Sequence, residues 1–237
     1  MTRKLTTEVI GTFFLVLTIG LVVTAQLPVA PLPIGAVLMV MVHMGGHVSG
    51  AHYNPAVTLA VLLRRRITGS EAGAYVLAQL AGAVLAALAV YAVTGQTFVV
   101  TPAEGTSAAV AILVEALFTF ALALVVLNVA TAPETEGNSF YGLAIGFTVM
   151  AGAFAGGPIS GGAFNPAVGI GPALAAALLS GVPVGHIWIY LVGPLLGGAL
   201  AAPVYFIQHP EPRVAPVAVP NPAPVMPEGE PEVAPRA

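Results

Sequence analysis

Two asparagines, each followed by proline and alanine, are the residues whose type and setting point most directly to a function. They lie in two copies of one motif, GGHVSGAHYNPAV at residues 45–57 and GGPISGGAFNPAV at residues 156–168, with eight positions identical at a constant shift of 111 residues. Asparagine caps a helix well, and proline at the first helical position lacks only an N–H that would be unpaired anyway. Each copy is therefore predicted to begin a helix, and the candidate site residues are Asn54, Pro55, Ala56, Asn165, Pro166 and Ala167.

The chemistry expected of this pair is hydrogen bonding rather than catalysis. If each carboxamide oxygen caps its own helix, the NH2 groups are left to donate to a passing solute. Two helix N-termini aimed at one point carry a positive partial charge of about 0.5 each, which repels cations but not neutral solutes. The alternative is that both loops are packed structural segments without a pore.

Composition places the chain in a membrane. The 237 residues are 57% hydrophobic and 7% charged, with a mean hydropathy of +0.94, values that exclude an ordinary soluble enzyme. A span needs about 20 apolar residues to cross the bilayer core. Six such spans are predicted, at about 5–26, 33–50, 69–93, 107–130, 139–157 and 183–207.

Several site classes have no candidate in the sequence. There is no cysteine, and no nucleophile triad, phosphate-binding loop, paired carboxylate set or basic face is present. We therefore expect no enzymatic activity, no cofactor, no metal and no nucleic-acid partner. His47 and His52 are expected to support the first loop or bind pore water rather than to hold a metal.

The repeat also predicts the topology. Each half, about 5–93 and 107–207, contains three spans and one loop motif, and an odd number of spans makes the second half enter from the opposite side. The apolar segments after the motifs, 57–63 and 168–179, are too short to cross and are predicted to be re-entrant. The expected fold is an all-α membrane protein with six transmembrane helices and two re-entrant half-helices that meet near the midplane, in an inverted three-span repeat.

The basic residues predict the orientation. All seven lie at the N-terminus, between spans two and three, or after the last span, namely Arg3, Lys4, Arg64, Arg65, Arg66, Arg213 and Arg236. By the positive-inside rule, both termini are expected in the cytoplasm, in a multi-pass protein of the cell membrane. Residues 208–237 hold nine prolines and are predicted to form a disordered cytoplasmic tail after a channel domain at 1–207.

These features together resemble the aquaporins and glycerol facilitators, from Glu8 to about residue 206. The resemblance rests on a glutamate in the first and fourth spans (Glu8 and Glu115), the two Asn-Pro-Ala loops, and the pairs Ala78-Gln79 and Gly193-Pro194 in the third and sixth spans. It implies one pore in each protomer, a homotetramer in the lipid bilayer, and buried glutamates that accept hydrogen bonds from the loops.

The implied function is a passive channel for water and small neutral solutes such as glycerol, urea, ammonia or hydrogen peroxide. The alternatives are a secondary transporter of a small neutral solute, since inverted repeats occur there too, and a structural membrane protein with a closed pore.

The resemblance also implies where the pore is narrowest. Counted from the motifs, the constriction consists of Ile34, Ala153, Gly162 and Val168. Family members often carry an arginine directly after the second Asn-Pro-Ala, where this chain has Val168. The constriction is therefore expected to be wide and apolar, which puts strict selectivity for water in doubt.

Overall fold

Eight α-helices form the part of the chain that the computed structural model describes, residues 1–210. They are α1 (Thr2–Thr24), α2 (Pro31–Ser49), α3 (Pro55–Leu63), α4 (Gly69–Thr94), α5 (Ala108–Thr131), α6 (Tyr141–Ser160), α7 (Pro166–Ser180) and α8 (Ile187–Gln208). A single 3-10 turn, Pro133–Thr135, follows α5, and no strand occurs within these residues. Six helices are long and apolar enough to cross a membrane, and α3 and α7 are the two half-helices. The predicted fold class is confirmed.

The predicted boundaries differ from the observed ones by only a few residues. The last helix continues to Gln208, one residue into the segment predicted to be a tail. The rest of that predicted tail, from residue 211 onward, lies outside the described residues.

Small residues allow the long helices to cross closely. In the first half α1 packs on α4, and in the second α5 packs on α8. A Cβ on Gly82 would come within 3.2 Å of the backbone nitrogen of Phe13, and a Cβ on Gly197 within 2.7 Å of that of Phe120. The two crossings are equivalent by the repeat, so close backbone approach is built into both halves.

Each half-helix packs mainly against the last long helix of the other half. Helix α3 lies on α8, where Gly198 faces the backbone of Ala56, and α7 lies on α4, where Gly171 faces Ala83. The two halves therefore interlock, and the tips of α3 and α7 are held at one place by elements from both.

Candidate functional site

Both motif asparagines cap the half-helix that follows them. Asn54 has an extended backbone, and its Oδ1 accepts from the backbone N–H of Ala56 at 2.8 Å and of Val57 at 3.4 Å. Asn165 does the same in α7, where its Oδ1 accepts from the N–H of Ala167 at 2.9 Å. Proline follows directly as the first helical residue in each case, so the local sequence explains both helix starts.

The amide nitrogens of the two asparagines join the halves. Asn54 Nδ2 donates to the carbonyl oxygen of Phe164 at 2.9 Å, and Asn165 Nδ2 donates to that of Tyr53, also at 2.9 Å. This differs from the expectation of free NH2 groups, because each tip faces a carbonyl of the opposite loop that needs a donor. The second N–H of each asparagine makes no hydrogen bond within residues 1–210.

The first loop is held in place by a buried glutamate. Glu8 is 0% exposed. Its Oε1 accepts from Ser49 Oγ at 2.6 Å and from the backbone N–H of His52 at 3.0 Å, and its Oε2 accepts from the N–H of Tyr53 and from Gln79 Nε2, both at 2.8 Å. All four partners are donors, so one carboxyl group satisfies two loop N–H groups that would otherwise be unpaired at membrane depth.

Glu115 performs the same task for the second loop with three donors. It is also 0% exposed. It accepts from Ser160 Oγ at 2.8 Å and from the backbone N–H groups of Ala163 at 3.0 Å and Phe164 at 2.6 Å. Both glutamates lie where the family resemblance implied.

Two tyrosines complete this support, and the sequence reasoning missed them. Tyr75 donates its hydroxyl to the carbonyl oxygen of Ser49 at 2.7 Å, and Tyr190 donates to that of Ser160 at 2.6 Å. They are related by the shift of 115 residues that also relates Gln79 to Pro194. A comparison of the two halves position by position would have found them.

A polar chain occurs in the first half alone. His52 Nδ1 lies 3.1 Å from Thr58 Oγ1, and Gln79 Nε2 donates to the same oxygen at 3.0 Å as well as to Glu8. The repeat places Ala163, Gly169 and Pro194 at the equivalent positions, and none of these has a polar side chain. Thr58 was not singled out from the sequence, since threonine is common in apolar helices.

Two cavities lie toward opposite ends of the molecule, and the two motif asparagines line the first of them. Cavity 1, of about 420 Å³, lies where α1 ends and α2 begins, and both Asn54 and Asn165 line it. Cavity 2, of about 690 Å³, lies at the end where Lys4 and Arg66 are found. His52, Val126 and Ile145 line both cavities, so the two meet beside the first loop.

All four residues of the expected constriction line the same cavity. Ile34, Ala153, Gly162 and Val168 line cavity 1, and no lysine or arginine of residues 1–210 lines it with them. His47 lines cavity 2 and, within the described chain, makes no hydrogen bond to the loop that it was expected to support. In the same part of the chain, no group of three or more histidines or carboxylates is arranged to hold a metal ion.

Comparison with known proteins identifies the family. A family model described as major intrinsic protein matches residues 1–205. The chain belongs to the major intrinsic protein family. The resemblance to aquaporins and glycerol facilitators that the two motifs indicated is thereby confirmed.

Relatives of this family member come from plants and bacteria. NIP4-1 of Arabidopsis thaliana, named as an aquaporin, is 40% identical over 209 residues, covering 83% of this chain and 71% of the relative. Nodulin-26 of Glycine max is 37% identical over 216 residues, covering 86% and 77%. The glycerol uptake facilitator protein-like 6 of Lactiplantibacillus plantarum is 38% identical over 214 residues, covering 84% and 95%.

A solved structure shows the same fold. The X-ray structure of the aquaglyceroporin from Plasmodium falciparum superposes with a TM-score of 0.78, covering 86% of this chain and 95% of its own, at 22% identity. The family is one of channels, and this member is a multi-pass membrane protein that acts as a passive channel for water and small neutral solutes.

Proposed function

We propose that this family member conducts water and glycerol-sized neutral solutes through a single path in each protomer. The observation that carries the proposal is the pair of cavities, which open at opposite ends and share His52, Val126 and Ile145 beside the two asparagines. A solute on this path meets one free N–H from each asparagine. These donors suit an oxygen or nitrogen acceptor on a neutral solute and do not suit a cation.

The residues proposed for the constriction support passage of solutes larger than water. Ile34, Ala153, Gly162 and Val168 bring only apolar groups to cavity 1, and Gly162 has no side chain. An arginine at position 168 would take up space and donate hydrogen bonds there, whereas valine does neither. We propose glycerol, urea, ammonia and hydrogen peroxide as solutes, and the glycerol uptake facilitator among the relatives agrees with this choice.

We propose that residues 1–207 are the channel domain, that it forms a homotetramer, and that it lies in the cell membrane with its N-terminus in the cytoplasm. The tetramer and the bilayer are suggested by the family resemblance. The orientation is supported by charge, because Arg3, Lys4 and the arginines at 64–66 belong to the end of the molecule at which cavity 2 opens.

The proposal is tested by stopped-flow light scattering on proteoliposomes, first with an impermeant osmolyte and then with glycerol. Fast shrinkage in the first and fast re-swelling in the second are expected. Fast shrinkage without accelerated re-swelling would show a pore that admits water and rejects glycerol. Solute flux that saturates and depends on an ion gradient would favour a secondary transporter, and rates equal to those of bare lipid would indicate a closed pore.

Replacement of Val168 tests the constriction directly. Val168→Arg is expected to reduce glycerol permeability at least about tenfold and water permeability less, because the long guanidinium side chain narrows the pore more severely for the larger solute. Val168→Leu is the matched control, since it adds volume without a charge or a donor. An equal loss of both permeabilities in Val168→Arg would contradict the placement of Val168 in the constriction.

A further inference from the structure

Arg64, directly after α3, is a cation without a carboxylate beside it. Lys4 pairs with Glu71 at 2.6 Å, and Arg66 donates to the carbonyl oxygen of Thr131 at 2.8 Å beside cavity 2. Within residues 1–210, no carboxylate lies within ion-pair distance of the Arg64 guanidinium. Its charge is therefore not neutralised by the part of the chain that the structure describes.

The end of α3 does not itself require this side chain. The backbone N–H groups of Arg64, Arg65 and Arg66 already donate to three carbonyl oxygens in the last turn of α3. The equivalent half-helix α7 ends at Ser180 and is capped by Gly181, with no basic residue in its last turn. A half-helix of this fold can therefore end without a cation, so the Arg64 side chain needs another explanation.

The Arg64 side chain turns to the last turn of α8. Its Nη2 donates to the hydroxyl oxygen of Tyr205 at 3.1 Å. The guanidinium carbon lies 4.4 Å from the centroid of the Tyr205 ring and 5.5 Å from that of Phe206. Tyr205 is buried, so it holds the guanidinium in one place. A group fixed in this way loses little conformational entropy when it binds an anion.

Part of the guanidinium stays accessible from outside. Nε of Arg64 is sealed from solvent without a partner. Nη1 makes no hydrogen bond within residues 1–210 and is not sealed, and Nη2 uses only one of its two N–H groups on Tyr205. Nη1 and Nη2 can therefore donate to an external acceptor. The planar arrangement of guanidinium N–H groups suits the oxygens of a phosphate.

The surface beside Arg64 is apolar. Phe206 is 42% exposed and Ile207 77% exposed in the last turn of α8, and Leu63 is 42% exposed at the end of α3. Because α8 is long and apolar enough to cross a membrane, these side chains are suited to contact acyl chains. A phosphate group next to acyl chains is the arrangement of a phospholipid at the surface of a bilayer.

We propose that Arg64 binds the phosphate of an anionic phospholipid, whose acyl chains lie against Phe206 and Leu63. Tyr205 is a positioning residue that orients the guanidinium. The lipid is anionic because an arginine without a carboxylate attracts net negative charge, whereas the choline of phosphatidylcholine offsets its phosphate. Since Arg64 follows α3 and Tyr205 belongs to α8, the bound lipid stabilises the contact between these two helices.

Lipid-dependent thermal stability tests the proposal without a transport assay. The full chain in a neutral detergent is unfolded alone, with phosphatidylglycerol, or with phosphatidylcholine at the same concentration, and native mass spectrometry counts the bound lipids. Phosphatidylglycerol should raise the apparent unfolding temperature by roughly 2 to 4 °C, and phosphatidylcholine by less than about 1 °C. Equal rises with the two lipids would overturn the proposal. An equal rise with inorganic phosphate would show a site for a free anion and overturn the choice of a lipid.

Arginine variants test the location of the site. In Arg64→Gln, the rise with phosphatidylglycerol, measured against the same variant without lipid, should fall by about half or more. Arg66→Gln is the matched control, because it removes the same charge from the same loop while its guanidinium bonds Thr131. It should keep the full rise. Similar losses in the two variants would indicate unspecific attraction by net charge and overturn the assignment to Arg64. The comparison of lipids on the wild-type protein decides the matter even if Arg64→Gln is too unstable to purify.

The lipid site and the proposed solute path fail separately. Absence of a phosphatidylglycerol effect, with glycerol flux intact, would refute the lipid site alone. Absence of glycerol flux, with the lipid effect intact, would refute the proposed solute range alone.

Discussion

The two halves of the molecule hold their loops in the same way but differ in the polar side chains that surround those loops. Both loops have an asparagine cap, a reciprocal 2.9 Å bond to the opposite loop, a buried glutamate below and a tyrosine hydroxyl on the serine carbonyl. The first half alone adds His52, Thr58 and Gln79. What the halves share fixes the backbone of the two loops, and the first half adds polar side chains that the second half lacks.

The difference follows from the position of each half. At the second loop the equivalents of His52 and Ala51 are Ala163 and Gly162, so the groups beside the proposed constriction are small and apolar. The first loop instead carries His52, which lines both cavities. The two halves thus share the contacts that hold non-helical backbone inside a membrane, while positions 51 and 52 differ from positions 162 and 163.

The largest effect is expected from removing the buried glutamates. Glu8→Leu and Glu115→Leu each leave two backbone N–H groups without an acceptor, at a cost of about 2 to 6 kcal/mol in folding free energy. Glu8→Leu should destabilise the protein more than Glu115→Leu does, since Gln79 also loses an acceptor. Thermal unfolding in detergent, monitored by size-exclusion chromatography, measures the stability of both variants. On a Gln79→Leu background, Glu8→Leu and Glu115→Leu should lower the folding free energy equally. A larger loss for Glu115→Leu than for Glu8→Leu would contradict the expected order.

The two cross-loop hydrogen bonds donated by Asn54 and Asn165 should be equal in strength. Asn54→Leu and Asn165→Leu each remove a helix cap and one cross-loop bond, with an expected cost of about 2 kcal/mol apiece. The same unfolding measurement checks this, with Leu77→Ala as a neutral control, since Leu77 in α4 is 70% exposed. A difference above about 1 kcal/mol between the two asparagine variants would show that the halves do not share this contact equally.

A smaller effect is expected where the first half has two bonds that the second lacks. Gln79→Leu should cost about 1 kcal/mol, because it removes two buried hydrogen bonds but also the buried Oε1, which has no partner. The second half manages with Pro194 at the equivalent position. Water permeability should stay within about twofold of wild type, since the loop N–H groups keep Glu8 as their acceptor. Collapse of water permeability in proteoliposomes would mean that Gln79 is needed to hold the pore open.

An exchange between equivalent loop positions should change stability by at most about 2 kcal/mol. Ala51 has φ +50° and Gly162 has φ +69°, both in the left-handed region. Gly162→Ala should cost about 1 to 2 kcal/mol, because a Cβ is disfavoured there and would lie 3.0 Å from the Cα of Gly157. Ala51→Gly should change stability by less than about 1 kcal/mol, as lost methyl packing offsets the relieved strain. Equal losses in thermal unfolding would contradict the assignment of strain to this conformation.

Much of the fold could be read from particular residues. The apolar runs gave six spans within a few residues of their observed ends, because crossing a bilayer demands length and hydrophobicity that no other segment has. Asn54-Pro55 and Asn165-Pro166 located both half-helix starts, since capping is a local interaction. The cross-loop bonds and the part played by Thr58 could not be read this way, because their partners come together only when the halves interlock.

By itself, the sequence determined the spans, the inverted repeat, the two capped half-helices and the family. These properties depend on composition, spacing and contacts between residues near each other in the chain. The tertiary structure alone decided which donor meets which acceptor: Asn54 reaches Phe164, Gln79 reaches both Glu8 and Thr58, and the His52 ring lies against Thr58. Hydrogen bonds act over about 3 Å, and only packing brings residues that are distant in the chain to that separation.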